Sequence, residues 1–163
     1  MKILSMKTTI FLGAMLSLLV CLMFTGCSNS ETNSTSRGLT DFAHIEEEYL
    51  ATIDSLNWPD GITLPDKLED EDTGASFQVG YGETRASYLW EYSWMKEWLD
   101  TYNTDPERAE KALEELEKAF DMPYMGIDRC DDATRYYLRE NIDKAKLGDP
   151  SGFTESIRAN YAN

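Results

Sequence analysis

Apolar residues recur at helical spacing in five stretches of the chain and give way to a punctuated, alternating pattern in one. Phe42, Ile45, Tyr49, Ile53 and Leu56 share a stripe, which predicts a first helix over 41–56. Asp41 supplies its cap and Trp58-Pro59-Asp60-Gly61 its stop. From 59 to 82 the periodicity is lost. Pro59, Gly61, Pro65, Gly74, Gly80 and Gly82 punctuate this segment, and Ile62/Leu64 and Phe77/Val79/Tyr81 alternate as extended pieces suited to one short β pair.

The second helix, predicted over 83–102, is the most strongly encoded. At about 100° per residue, Tyr88, Tyr92, Met95, Leu99 and Tyr102 fall within about 80° of one another. Ala86, Trp90 and Trp94 gather on the opposite side, with Trp98 at their edge. A helix apolar on two opposite faces is surrounded by other elements, so this one is expected at the centre. Thr104-Asp105-Pro106 opens a third helix, with Ala109, Ala112, Leu113, Leu116 and Phe120 on one stripe and Met122-Pro123 as its stop. A fourth begins at Asp131 or Asp132, turns Leu138, Ile142 and Ala145 inward and ends at Gly148. Asp149-Pro150 opens a short fifth helix bearing Phe153, Ile157 and Tyr161. The expected fold class is mostly α: a small single-domain bundle of four to five helices with a long irregular segment at 59–82.

The first 27 residues follow a different logic. Lys2 and Lys7 precede an uncharged run of 19 residues, Thr8 to Gly26, and small residues lead to Cys27. These are the parts of a secretory signal. Phe24-Thr25-Gly26-Cys27 resembles the lipobox of bacterial lipoprotein precursors, with phenylalanine where that family usually has leucine. The resemblance implies cleavage between Gly26 and Cys27 and a diacylglyceryl group on the Cys27 thiol. The expected organisation is a signal peptide over 1–26, a lipidated N-terminus with a flexible polar tether over 27–40, and a compact domain over 41–163. An uncleaved membrane anchor is the competing reading, since 19 uncharged residues approach the length of a bilayer span; a soluble secreted form is the third. All three put the domain outside the cytoplasm, and the first holds it to the membrane through the Cys27 lipid, on the extracytoplasmic face.

Removing the signal leaves 13 basic side chains against 30 acidic ones, a formal charge of −17. Such a field repels phosphate backbones, so nucleic acid is excluded as a partner, and no basic patch is available for anionic lipid. An envelope protein or a glycan is the partner class left. Of three cysteines, Cys21 lies in the signal and Cys27 is committed to lipid, so Cys130 stands alone and no disulfide framework is expected.

Candidate chemistry is sparse. Trp90, Trp94 and Trp98 form a row that packs in a core or, where exposed, offers a stacking platform; Trp98 is expected to be the most exposed. Trp58, Tyr81 and Trp98 are therefore the candidate ligand or partner surface, together with the 59–82 loop. His44 should face solvent, with Glu48 one turn on, a pair too small for a metal site by itself. The Glu69-Asp70-Glu71-Asp72 run fails the EF-hand template, which needs glycine at position six and glutamate at twelve. Cys130 lies before a helix start, where the dipole lowers a thiol pKa, among aspartates that raise it. No GxSxG, SxxK, CxxC, HExxH or phosphate-loop motif is present, no metal or cofactor is called for, and no catalytic residue is assigned. The Trp58-Pro59-Asp60-Gly61 turn, the Gly80-Tyr81-Gly82-Glu83 stretch and the Trp-rich helix together resemble small bacterial lipoproteins of uncharacterised activity, a likeness that carries no functional residues. The expectation is a non-enzymatic, membrane-anchored interaction or accessory module. The alternative is a small envelope enzyme or glycan-binding accessory protein built on the same loop and the Trp90–Trp98 helix.

Overall fold

A computed structural model describes residues 38–69 and 71–161. Cys27, the signal segment and the tether up to residue 37 lie outside the described residues. The order is β1 (Leu39–Thr40), α1 (Phe42–Ser55), β2 (Phe77–Gln78), α2 (Tyr81–Thr101), α3 (Pro106–Glu117), two 3-10 turns (Lys118–Asp121 and Pro123–Met125), α4 (Asp132–Lys146) and α5 (Ser151–Asn160). The domain is thus a small helical one carrying a minimal two-stranded sheet.

Helix starts follow the aspartates. Asp41 accepts the His44 N–H at 3.1 Å, Asp105 that of Arg108 at 3.2 Å with Pro106 behind it, and Asp131 that of Thr134 at 2.7 Å. Each such cap is worth about 1 kcal/mol. At α5 the geometry is different: Asp149 reaches the Ser151 N–H at 2.9 Å, while the capping position itself is Pro150.

α2 starts without a cap of its own, since Gly80 lies in the left-handed region at φ 89° and offers no side chain. The cap comes from α1. The Glu48 carboxylate accepts the Gly80 N–H at 2.7 and 2.9 Å and the Gly82 N–H at 3.2 Å, which places negative charge on the positive end of α2, the longest helix among the described residues. The two helices touch backbone to backbone at the same point. A Cβ on Gly82 would land on the carbonyl oxygen of Ile45, 2.8 Å from its carbonyl carbon and 2.9 Å from the Tyr49 nitrogen. Only glycine permits this approach.

Two apolar clusters meet along α2. Ile45, Tyr49, Ile53, Leu68 and Ala86 form one, between α1 and the first turns of α2. Trp90, Trp94, Met95, Trp98, Ala112, Leu116, Leu138, Ile142 and Phe153 form the centre of the other, among α2, α3, α4 and α5. α2 is therefore the central helix. The 59–82 segment lies against this pair, with Pro59 and Leu68 buried. Just before it, the Asn57 carbonyl accepts both the Trp90 indole N–H at 2.8 Å and the Trp94 indole N–H at 3.2 Å, which ties the chain after α1 to α2.

Two local expectations differ from the structure. The strand partner of Phe77 is Thr40, not the Ile62/Leu64 piece, and Gln78 pairs with Leu39. Leu39 and Thr40, read from the sequence as part of the polar tether, thus form a strand, offering backbone groups to an otherwise unpaired edge. Tyr81, placed in an extended piece by its alternation with Val79, is the first residue of α2. Among the described residues no helix is long and apolar enough to cross a membrane.

The α1–α2 contact sets the first prediction. Gly82→Ala is expected to cost about 2 kcal/mol or more through overpacking, and Glu48→Ala about 2 kcal/mol through buried N–H groups left without a partner. Urea unfolding followed by tryptophan fluorescence measures both, and wild-type midpoints for both variants would contradict the contact.

Candidate functional site

The Trp and Tyr residues singled out by pattern each make contacts within the domain. Trp98 is 2% exposed, against the expectation that it is the most exposed of the tryptophan row. Its ring stacks on Tyr102 at 4.6 Å and meets the edge of Phe153 at 5.3 Å, because α3 and α5 cover the side of α2 that the angular reading left at an edge. Trp58 is half-buried, and its indole N–H donates to the Ile53 carbonyl at 2.9 Å, satisfying an orphan acceptor in the last turn of α1. The Tyr81 hydroxyl donates to Glu71 at 2.8 Å, beside an Arg85–Glu71 ion pair. These three residues do not converge: Tyr81 and Trp98 alone are separated by about 25 Å along the α2 axis.

The other candidates also resolve into local roles. His44 is exposed and lies 3.3 Å from Glu48, the carboxylate that caps α2. Among the described residues of the acidic run, Glu71 is tied to Tyr81 and Arg85, and no group of three or more His, Cys, Asp or Glu is arranged to hold a metal. Cys130 is half-buried with its sulfur 3.6 Å from that of Met125. Burial pushes its thiol above the usual value, against the pull of Arg135.

The arrangement with chemical potential lies elsewhere, where α2, α4, α5 and the Pro123–Met125 turn meet. Glu91, in the middle of α2, is 7% exposed. Its Oε2 accepts the hydroxyl of Tyr124 at 2.8 Å, and among the described residues no basic side chain pairs with it. Above it opens a cavity of about 410 Å³ lined by Tyr88, Met125, Thr134, Tyr137, Ser156 and Tyr161, among others. The proline at 123 forces the turn that delivers Tyr124 and Met125. The tyrosines interlock: Tyr88 and Tyr124 pack edge to face at 5.6 Å, Tyr92 and Tyr161 pack with tilted rings at 4.9 Å, and the Tyr161 hydroxyl donates to the Tyr88 carbonyl at 3.3 Å. Tyr88 is 40% exposed and stands at the rim.

Removal from water dominates the electrostatics. Burial raises the Glu91 carboxyl to about 7, with the Tyr124 hydrogen bond pulling in the opposite direction. Burial first, and the nearby Glu91 charge second, hold the Tyr124, Tyr161 and Tyr88 hydroxyls above the usual tyrosine value. The site therefore combines one carboxyl poised near neutrality with tyrosines that stay protonated. Such a group can take or release a proton, or pair with a positive charge.

Glu91 escaped the sequence reading although a signal was there. Measured from Tyr88 it lies about 60° away on the helix, within 20° or so of Tyr102 and on the same inward stripe as Met95. A glutamate inside an apolar stripe was the clue. No family model, curated protein or solved structure matches the chain.

The sign of the resulting pH dependence follows from linkage. The folded state keeps the Glu91 proton up to about pH 7, whereas the unfolded chain releases it near 4.5. The stability supplied by the neutral carboxyl is thus complete below about 4.5 and is lost as pH rises through about 7. The loss is on the order of 3 kcal/mol. Glu91→Gln should remove it, so that the stability difference between variant and wild type changes by that amount across this window in urea unfolding. A difference that does not vary with pH would contradict a buried, titrating Glu91.

Proposed function

We propose that the protein is a lipid-anchored extracytoplasmic binding module, fixed to a membrane at Cys27 and presenting the Glu91 cavity to a small ligand on the outer side. The lipobox-like Phe24-Thr25-Gly26-Cys27 supports the anchor, and acylation with two or more chains is what makes such an anchor stable. The absence of any catalytic motif in the sequence supports binding over turnover.

The observation that carries the binding half is a carboxyl buried without a basic partner at the floor of an open cavity. An apolar residue of similar size at 91 would avoid the desolvation cost. A titratable group displaced toward neutrality inside a cleft is the physical mark of a working site. At about 410 Å³ the cavity is at the small end of those that take small molecules.

The anchor is tested by Cys27→Ala. The variant is expected to leave the membrane pellet for the soluble fraction, with its urea midpoint unchanged. Retention in the membrane with residues 1–26 still attached would favour an uncleaved anchor and overturn the lipoprotein reading.

A further inference from the structure

The cavity's lining identifies the chemical class of its ligand, an inference that rests on the binding role proposed above. We propose that the Glu91 cavity binds the protonated amine of a small organic cation, with the carboxylate taking the ammonium group and the surrounding tyrosines enclosing it.

Three observations converge. The first is polarity. Besides Glu91, the cavity is lined by Tyr88, Tyr137 and Tyr161, by Thr134, Ser156 and Asn160, and by apolar Met125 and Leu138, with no lysine, arginine or histidine in the lining. Glu91 is its one ionisable acid, so an anionic ligand would meet repulsion and a neutral one would leave the carboxylate without a counter-charge. An ammonium group supplies that counter-charge and up to three N–H donors for the carboxylate and the hydroxyls.

The second is aromatic density. Three tyrosines line this one small space, and aromatic ring faces attract cations by about 0.5–2 kcal/mol, more where water is excluded. The third is the field of the whole chain. A formal charge of −17 on the mature sequence raises the local concentration of cations and lowers that of anions. A bare divalent metal fits less well, since calcium seeks six to eight oxygen ligands and one carboxylate is present here.

The groups facing Glu91 do not compete for the ligand's charge. Tyr88 comes from α2, Tyr124 from the 3-10 turn, Cys130 from the loop before α4 and Tyr161 from the end of α5, and each is held above its ordinary pKa. α4 contributes Thr134 and Tyr137. Binding should therefore track the ionisation of one group.

The test uses the full chain in non-ionic detergent at physiological salt, titrated calorimetrically with benzylammonium and with benzyl alcohol, its neutral analogue of similar shape. At about pH 8 benzylammonium should bind at least about tenfold tighter than the alcohol. The preference should vanish in Glu91→Gln, and in the wild type at about pH 5.5, where the carboxyl is protonated. The wild-type pH comparison stands whether or not the variant folds. Equal or tighter binding of benzyl alcohol, or benzylammonium binding that ignores both Glu91→Gln and pH, would overturn the cation assignment while leaving a binding cavity in place. Failure of both probes to bind at about 10 mM would overturn the assignment and the binding role together.

Discussion

The domain depends on the enclosure of α2. Its first turn is locked to α1 where the Glu48 carboxylate takes the Gly80 and Gly82 N–H groups and Gly82 lets the α1 backbone come into contact. Its middle is tied to the chain after α1 by two indoles sharing the Asn57 carbonyl. Its second half is covered by α3 and by Phe153 of α5. With these sides occupied, the stripe bearing Tyr88, Glu91 and Tyr92 has to face the α4–α5 end and the Tyr124 turn. Burial of a carboxylate follows from that geometry.

A buried acid in a helical bundle opposes the physics that forms the bundle. Desolvation raises its pKa, and the one hydrogen bond from Tyr124 offsets this only in part. Local choices in a sequence normally agree with the global fold, and places where they do not are where function is to be sought. Elsewhere aspartates stand at helix starts, and largely buried carboxylates such as Glu71, Glu97 and Glu115 have a basic partner. Glu91 has no basic partner among the described residues, and it opens onto a cavity. The lipobox-like segment and the strongly acidic surface fit the same proposal, a domain held outside a membrane in a field that favours cations.

Much of the architecture was legible in the residues. Helical stripes such as Phe42–Ile45–Tyr49–Ile53 and the Asp-Pro start at 105–106 encode local structure within a turn or two, and pattern reads such encoding well. The two-faced composition of α2 also implied its central place. What escaped depends on neighbours remote in sequence. Leu39–Thr40 looks like the end of a polar leader until Phe77–Gln78 lies beside it. Glu48 reads as one more glutamate in a Glu46-Glu47-Glu48 run, yet it caps a helix more than thirty residues away. Trp98 lay at the edge of a stripe by angle alone, and its burial was decided by α3 and α5, which no helical wheel of α2 contains. Glu91 is hidden for a related reason: its burial among tyrosines depends on Tyr124 and on α4 and α5, all remote from it in sequence.

The most direct test is the ionisation of Glu91 itself. With glutamate side chains ¹³C-labelled in the full chain, the Glu91 carboxyl resonance, assigned by its loss in Glu91→Gln, can be followed through pH. A midpoint near 7, accompanied by shifts of the Tyr124 ring, is what a carboxyl enclosed beneath α4 and α5 must give. A midpoint in the ordinary glutamate range, about 4.3, would mean that water reaches it freely and would contradict both the enclosure of α2 and the site built upon it.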